Sequence, residues 1–251
     1  MGRGNPQSSK IFEIEDAQDN YSEKLIKFDS LGTYYFSPKK QFIEGIQKNE
    51  NDEEIIFDRK YFSLPEDKIL IGCIQSKFKI SIEFENILKD ILEKNSNCLI
   101  YLSIFTEFNR SHLNRIKEKL GDNFEKLQFI KGMKTDRYLK LLKNFDFMLD
   151  PYPFGGCNTS LEAFDFNIPV VTQPTNFING RFTHGFYQIM DIDDLSAKNE
   201  EEYVKIVNKL INQPEYLTEI KLKIKDNKSK LFEQKDSITD WSNFLLGLRN
   251  K

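Results

Sequence analysis

The stretch FMLDPYPFGGCNTSLEAF, residues 147–164, joins three short patterns that together define a local fold. Phe147 to Leu149 is an apolar run and predicts a short buried strand. Residues 150–157 form a loop rich in Pro and Gly, and a helix is predicted from Asn158 onward. A strand, a glycine-containing loop and a helix in this order are typical of the units that bind ligands in α/β folds.

The same alternation continues on both sides of this stretch. Gly121 is in the usual position to end a helix, and Thr135 is a candidate N-cap for the next one. Because short strands alternate with helices, the sequence predicts an α/β fold with a doubly wound parallel sheet, a Rossmann-like lobe. The other predicted strands are 69–74, 98–104, 127–130 and 168–172, and the predicted helices are 84–92, 110–120, 135–145, 180–190, 199–212, 214–228 and 236–249.

The first quarter of the chain is less regular. Residues 1–20 are polar and are expected to be loose. Residues 21–27 show a short helical pattern, and the aromatic run 33–36 is strand-like. Pro38 and Pro65 interrupt a charged stretch, so residues 37–66 are predicted to be a linker or an irregular hairpin.

Composition excludes several classes of protein. The chain has 251 residues and a formal net charge of −3, so no basic surface points to nucleic acid or to a membrane. It has no apolar run of about 18 residues, so no membrane span is expected. The N-terminus lacks the apolar core of a signal peptide. The three scattered cysteines favour reduced thiols in a cytoplasmic protein.

The loop and helix start at 150–162 suit an anionic ligand. Gly155 and Gly156 let backbone approach a ligand closely, and the free N–H groups of Asn158, Thr159 and Ser160 favour a diphosphate. Glu162, in the first turn, could accept hydrogen bonds from a ribose diol. The same residues also suit a capped helix after a tight turn, and that explanation stays open.

Two other segments carry candidate side chains. Gln75, Ser76 and Lys79 follow the strand at 69–74, so they share an edge of the sheet with the first loop, and Lys79 could neutralise phosphate charge. Arg181 could hold a phosphate, and His184 could act as an acid or base. The structural alternatives are a solvated lysine and a packed arginine and histidine.

Several other signatures are missing or misplaced. The sequence has no G-x-x-x-x-G-K-[ST] loop and no G-x-G-x-x-G after a strand, which leaves P-loop and nicotinamide enzymes unsupported. The Asp-x-Asp pattern at Asp191 and Asp193 follows a predicted helix rather than a strand, so it is interpreted as a solvated turn.

Taken together, the segments resemble the O-linked N-acetylglucosamine transferase family and its bacterial relatives, over about residues 20–230. The segment 74–80 resembles a Gln-x-x-(Tyr/Phe)-Lys donor-site segment, and 149–163 is similar to a diphosphate-binding loop and helix. The other matching segments, in order, are 20–25, 168–172, 180–183 and 195–203.

The resemblance implies a GT-B fold, a UDP-sugar donor and metal-independent transfer with inversion. Lys79 would be the catalytic cation that stabilises the diphosphate as the bond to the sugar breaks. Backbone groups of Met133 and Lys134 would flank the uracil. Cys157 stands where some members carry a histidine, and Tyr138 and Leu141 stand where some carry a histidine and an arginine. The remaining donor-site residues implied are Gln75, Ser76, Gly155, Gly156, Asn158, Thr159, Glu162 and Arg181.

A GT-B enzyme needs two facing lobes, and the region before residue 67 is short for one. The prediction is a remnant of the first lobe with its linker at 1–66, a nucleotide-sugar-binding lobe at 67–235 and a C-terminal helix at 236–251. The leading hypothesis is the donor-binding half of a transferase that modifies Ser or Thr hydroxyls of protein, with no metal cofactor. The alternatives are a non-catalytic UDP-sugar-binding module that needs a partner lobe or chain, and a GT-B-like epimerase or hydrolase. The apolar stripe of the last helix could pack on the first lobe or on its own sheet.

Overall fold

The chain folds into a Rossmann-like α/β lobe. Residues 6–43, called the N-terminal segment, and the last helix pack beside this lobe. The computed structural model describes residues 6–43, 48, 54–104 and 110–249. The strands are β1 (Gln7–Ser9), β2 (Ile26–Phe28), β3 (Ile69–Cys73), β4 (Cys98–Ile104), β5 (Leu127–Lys131), β6 (Phe147–Leu149) and β7 (Val170–Val171). The α-helices are α1 (Pro38–Ile43), α2 (Ile82–Lys94), α3 (Arg110–Leu120), α4 (Thr135–Leu142), α5 (Asn158–Asp165), α6 (Phe182–Met190), α7 (Glu200–Asn212), α8 (Pro214–Asn227) and α9 (Asp236–Arg249).

Five of these strands form one parallel sheet in the order β5-β4-β3-β6-β7. The pairing of Ile69 with Cys98 sets the β3–β4 register, and the pairing of Ile71 with Phe147 sets β3 against β6. The central strands are buried along almost their whole length, as expected for a parallel sheet covered on both faces. The prediction of a doubly wound parallel sheet is therefore confirmed.

The strand order contains a reversal that matters for the site. The chain runs outward from β3 through β4 to β5, then returns to the other side of β3 and continues through β6 to β7. Because crossovers between parallel strands are right-handed, α2 and α3 lie on one face of the sheet, and α4 and α5 lie on the other. The loops after β3 and β6 consequently diverge and leave a crevice between them at the carboxyl edge.

The helices form where the apolar spacing predicted them. In α2 the side-chain oxygen of Ser81 accepts a hydrogen bond from the N–H of Phe84, and the helix buries one apolar face. Gly121 follows α3 with φ +54°, the left-handed conformation that glycine adopts without strain. The helix predicted from Thr135 also forms, but the N-cap is Lys134 and the Thr135 side chain does not cap it.

The N-terminal segment is more ordered than its polarity predicts, so the expectation of a loose start is wrong for the described residues 6–20. β1 pairs in parallel with β2, and Phe12 and Ala17 are buried. Phe12 packs edge-to-face on Phe182 and Phe186 of α6, which is long-range packing that a local reading of the sequence cannot detect. Residues 21–27 form no helix because β2 begins at Ile26, and residues 33–36 form no strand.

The stretch 37–66 is also not a plain linker. It begins with α1, which packs on α4 and α5, while residues 44–47 and 49–53 lie outside the described residues. The carboxylate of Asp165, at the end of α5, accepts hydrogen bonds from the hydroxyl of Ser37 and the N–H of Lys39, both at 2.7 Å. This buried carboxylate fastens the start of α1 to the lobe. The division at residues 66 and 235 stays a prediction.

The last helix packs on the N-terminal segment rather than on the sheet. Trp241 contacts Phe28 edge-to-face at 5.1 Å between ring centroids, and its indole N–H donates to the carbonyl of Gly32 at 2.9 Å. Phe244 also contacts Phe28. Leu245 and Leu248 of the same helix remain more than half exposed. None of the described helices is long and apolar enough to cross a bilayer.

Replacing Asp165 tests the anchoring of the N-terminal segment. Asp165→Ala should lower the free energy of unfolding by about 2–4 kcal/mol, because two buried donors lose a charged acceptor. Urea unfolding of the two proteins measures the difference. Asp226→Ala, on the exposed face of α8, is the matched control and should change stability by less than about 0.5 kcal/mol. Equal stability of Asp165→Ala and the parent chain would contradict the anchoring role.

Candidate functional site

The candidate site lies at the topological switch point, the place between β3 and β6 where the strand order reverses. There the loop after β3 meets residues 151–157, the glycine loop that follows β6. The two loops are joined directly: the hydroxyl of Ser81 donates to the carbonyl of Tyr152 at 2.8 Å. The Tyr152–Pro153 peptide bond is cis. The Gly155 N–H donates to the carbonyl of Asn179 at 3.0 Å, which fixes the other side of the glycine loop.

The carboxylate of Asp150, at the end of β6, organises the glycine loop. It is 2% exposed and accepts hydrogen bonds from the N–H of Gly156 and, at 2.8 Å, from the hydroxyl of Thr172. Burial raises the pKa of Asp150 above its usual range, and the hydrogen bonds from Gly156, Thr183 and Thr172 and the charge of Lys79 oppose that rise. The loop therefore curls around this one side chain.

Lys79 bridges the two loops. It is the last residue of a short 3-10 helix, Lys77–Lys79, and its Nζ donates to the carbonyl of Gly155 at 2.7 Å and to Oε1 of Gln75 at 3.0 Å. The ring of Phe154 lies 4.4 Å from the same ammonium group. Partial burial lowers the pKa of Lys79, while Asp150, Cys157 and Cys73 act in the opposite direction. A cation is thus held at the mouth of the crevice.

Gln75 continues the bridge to α5. Its amide nitrogen donates to the hydroxyl of Thr159, in the first turn of that helix. The backbone of Gly156 passes so close that a Cβ there would be 3.0 Å from the hydroxyl of Ser160 and still nearer to Gln75 and Thr159. Only glycine fits at this position without displacing the side chains around it.

The start of α5 supplies donors next to Lys79. The N–H groups of Ser160 and Leu161 both donate to the carbonyl of Cys157 at 3.1 Å, so the prediction of a free Ser160 N–H is wrong. Asn158 and Thr159 precede them as the first helical residues, whose N–H groups have no acceptor within a helix. Asn158 is exposed, and the helix dipole adds partial positive charge here.

Glu162 lies one turn further along α5 and is half-buried. Burial raises its pKa to about 7, and the neighbouring Tyr138 hydroxyl, on α4, acts to lower it. The Tyr138 oxygen is itself buried and forms no hydrogen bond of normal geometry with any described residue. Burial and the nearby carboxylate both raise the pKa of Tyr138.

The remaining predicted positions are more dispersed. Met133 is half-buried and Lys134 is exposed, both in the loop after the outermost strand β5 at the same edge of the sheet. Ser76 is exposed. The Cys157 thiol lies 3.6 Å from the hydroxyl of Tyr35, and burial raises the pKa of Cys157.

Arg181 and His184 are occupied by contacts outside the crevice. The Arg181 guanidinium donates to the carbonyls of Phe12 at 2.9 Å and Thr175 at 3.0 Å, so it ties the N-terminal segment to the loop before α6. His184 Nδ1 lies 2.9 Å from the hydroxyl of Ser196. A phosphate contact from Arg181 stays a prediction.

Residue-by-residue inspection missed three parts of the site. Asp150 stood in the quoted motif, but its role depends on Thr172, 22 residues later in the chain. Ser81 was missed although its position before an apolar helical pattern is an N-cap signal. Tyr35 had no local signal, because its contact with Cys157 joins residues 122 positions apart. Among the described residues, no three His, Cys, Asp or Glu side chains are grouped to hold a metal ion.

The sheet order and the crevice define a Rossmann-like α/β lobe, and similar solved structures show that it is of the GT-B glycosyltransferase type. Among solved structures the chain is similar to a mutant of the Thermobaculum terrenum O-GlcNAc transferase, with a TM-score of 0.70 and 18% identity, covering 97% of this chain and 43% of that one. It is also similar to WaaG, a glycosyltransferase involved in lipopolysaccharide biosynthesis, with a TM-score of 0.62 and 15% identity, covering 89% and 58% of the two chains.

The sequence comparisons define the family. The profile of glycosyl transferase family 41 matches residues 19–241, and the chain belongs to that family. A UDP-N-acetylglucosamine--peptide N-acetylglucosaminyltransferase of Caenorhabditis elegans is 21% identical over 193 residues, which are 76% of this chain and 17% of that protein. Its counterpart in Giardia intestinalis is 23% identical over 192 residues, which are 75% and 13% of the two. The chain thus spans less than a fifth of the length of these relatives.

The pKa of Glu162 gives a test of the site itself. A carboxyl group whose pKa is about 7 when folded, against an ordinary 4.5, holds its proton longer in the folded state. Its contribution to stability is therefore full below pH 4.5 and is lost as the pH rises through 7. Relative to the parent chain, Glu162→Gln should become more stable between pH 5 and pH 8, by about 1–3 kcal/mol, since one pKa unit corresponds to about 1.4 kcal/mol.

Urea unfolding at the two pH values measures this difference. Glu201→Gln, at an exposed position in the first turn of α7, is the control and should show no such trend. A pH-independent difference for Glu162→Gln would show that the carboxyl group has an ordinary pKa.

Proposed function

We propose that this chain is the donor-binding half of a UDP-sugar-dependent glycosyltransferase that transfers a sugar, N-acetylglucosamine, to Ser or Thr hydroxyls of protein. The observation that carries the proposal is the Lys79 ammonium, held by Gly155 and Gln75 next to the start of α5. A fixed cation and free helix N–H groups at a switch point suit a diphosphate.

In this proposal the diphosphate lies against Lys79 and the N–H groups of Asn158 and Thr159. The contacts of Lys79 with Gly155 and Gln75 position it before the ligand arrives, so little reorganisation is needed on binding. Gln75 and Ser76 flank the diphosphate, and Gly156 lets the backbone approach it.

The proposed position of the diphosphate also determines where the nucleoside lies. Glu162, one helical turn from Asn158, accepts hydrogen bonds from the ribose hydroxyls. Met133 and Lys134 contribute backbone groups beside the uracil from the same edge of the sheet. Helix α4 connects the proposed uracil and ribose positions. It begins just after Lys134, and its Tyr138 side chain lies next to Glu162.

Transfer breaks the bond between the anomeric carbon and the diphosphate oxygen. The acceptor oxygen attacks the anomeric carbon from the opposite face, which inverts the configuration there, while its proton passes to solvent water and UDP departs. Negative charge then grows on the diphosphate, where Lys79 and the dipole of α5 stabilise it. We propose that the positive charge of Lys79 and of the start of α5 takes the place of a metal ion.

The sugar and acceptor come from the names of the relatives, which are UDP-N-acetylglucosamine--peptide N-acetylglucosaminyltransferases. A reducing, cytoplasmic location is part of the proposal, supported by the free thiols of Cys73, Cys98 and Cys157.

Calorimetric titration with UDP in the presence of a chelator tests the donor site. Lys79→Ala should weaken UDP binding by about 1.5–3 kcal/mol, because Lys79 contacts a charged group, but should leave uridine binding unchanged. Glu162→Ala should weaken both ligands, because both contain the ribose. Lys205→Ala and Glu201→Ala, at exposed positions on α7, are matched controls and should bind UDP like the parent chain.

Loss of uridine binding in Lys79→Ala would indicate that Lys79 contacts the nucleoside rather than the diphosphate. No UDP binding by the folded parent chain would count against the donor-site assignment. Transfer of radiolabelled N-acetylglucosamine to a Ser-containing peptide separates a catalytic chain from a binding module.

The affinity for uridine should also depend on pH through Glu162. A carboxylate is a stronger acceptor than a neutral carboxyl group, so uridine should bind more tightly as the pH rises from 6 to 8, through the pKa of about 7. Uridine is used because a terminal phosphate itself titrates near pH 6. Titrations of Glu162→Gln over the same range should be flat, and a persistent trend in that variant would assign the titration to another group.

A further inference from the structure

A half-open cavity of about 190 Å³ lies between the N-terminal segment, α6 and α9. Its walls include the aromatic rings of Phe12, Phe28, Tyr35, Phe182 and Trp241. It is separate from Lys79, Asn158 and Glu162, none of which lines it.

The absence of charged residues from the lining of the cavity limits the kind of ligand that it can bind. None of its lining residues is acidic or basic. A charged ligand would lose its hydration here without gaining a counter-ion, so the cavity suits a neutral molecule. The aromatic walls favour a ring that can pack against them edge-to-face.

One polar group in the wall lacks a partner. Ser8, on β1, is 9% exposed, and its hydroxyl forms no hydrogen bond with the rest of the described chain. A buried hydroxyl without a partner costs free energy, which a ligand hydroxyl can recover. Three other polar side chains of the wall have partners: the Trp241 indole N–H donates to Gly32, the Ser9 hydroxyl accepts from Ile11, and Tyr35 contacts Cys157. The remaining two, Gln7 and Thr33, are exposed to solvent at the rim.

Size and polarity narrow the choice to one kind of molecule. A cavity of about 150 Å³ accommodates benzene, so this one holds a single six-membered ring with a small substituent. A sugar ring would bury several hydroxyls against one free partner, which is unfavourable. A phenol needs one hydrogen bond and offers an aromatic ring for the rest.

We infer that this cavity binds a phenol ring, with the phenolic hydroxyl bonded to Ser8. The ring comes either from a tyrosine side chain of a peptide or from a free phenolic molecule. The contact of Tyr35 with Cys157, the residue before α5, connects the cavity to the donor crevice. The inference stands apart from the proposed function, because it rests on residues of the cavity alone.

Trp241 reports occupancy directly, because it is the one tryptophan of the chain and lines the cavity. Phenol, benzene and N-acetylglucosamine are titrated into the full chain while the emission of Trp241 is followed, with excitation at wavelengths that phenol does not absorb. Phenol should give a saturable change and bind about 2–10-fold more tightly than benzene, which lacks the hydroxyl. N-acetylglucosamine should give none.

Variants locate the hydrogen bond. Ser8→Ala should bind benzene at least as well as the parent chain but lose the preference for phenol. Ser242→Ala, at an exposed position next to Trp241, is the matched control and should keep that preference. An unchanged preference in Ser8→Ala, no saturable change with either ring, or displacement of phenol by N-acetylglucosamine would overturn the inference.

The source of the ring is resolved by a matched pair of amides. Tighter binding of N-acetyl-tyrosinamide than of both phenol and N-acetyl-phenylalaninamide supports a peptide tyrosine. Binding of phenol without binding of N-acetyl-tyrosinamide supports a free phenolic ligand. These titrations contain no nucleotide, so their failure is distinct from failure of the donor site.

Discussion

The candidate donor site depends on the buried carboxylate of Asp150. It accepts from the Gly156 N–H at the turn of the glycine loop and from Thr172 beyond the neighbouring strand. The backbone carbonyl of the same residue accepts from the hydroxyl of Tyr203 on α7 at 3.0 Å. One residue thereby fixes the loop, β7 and a helix relative to each other. A buried carboxylate is expensive to desolvate, and it is tolerated because these donors satisfy it.

The other side chains of the site are positioned by hydrogen bonds to one another and to the glycine loop. Lys79 and Gln75 come from the loop after β3 and meet the glycine loop and α5 across the crevice. Their positions follow from the strand order, because β3 and β6 are neighbours although the paired residues Ile71 and Phe147 are 76 positions apart in the chain. The arrangement favours pre-organised binding of charge rather than adjustment on ligand arrival.

At Glu162 the proposed contact with a ribose and the stability of the fold favour opposite protonation states of the carboxyl group. Burial beside Tyr138 raises the pKa of the carboxyl group to about 7, so the charged form lowers stability near neutral pH. A site with this property is expected where a carboxylate must meet a ligand rather than a permanent partner. Asp165, at the end of α5, shows the reverse case: its buried carboxylate accepts from Ser37 and Lys39 of the N-terminal segment and serves to hold structure.

The local amino-acid pattern is enough to predict the strands of the main sheet, most of the helices and the loops that face the crevice. Strands β3 to β7 and helices α2 to α9 follow from the period of the apolar residues, which is a local property and can be counted along the chain. The motif at 150–162 pointed to a diphosphate because glycines and a helix start carry that chemistry in their local backbone. Tertiary structure decided which residues meet: Asp150 with Thr172, Tyr35 with Cys157, and Phe28 with Trp241. The order of residues 6–28 was missed for the same reason: besides the β1–β2 pairing, Phe12 of this stretch contacts Arg181 and Phe182, more than 150 positions away in the chain.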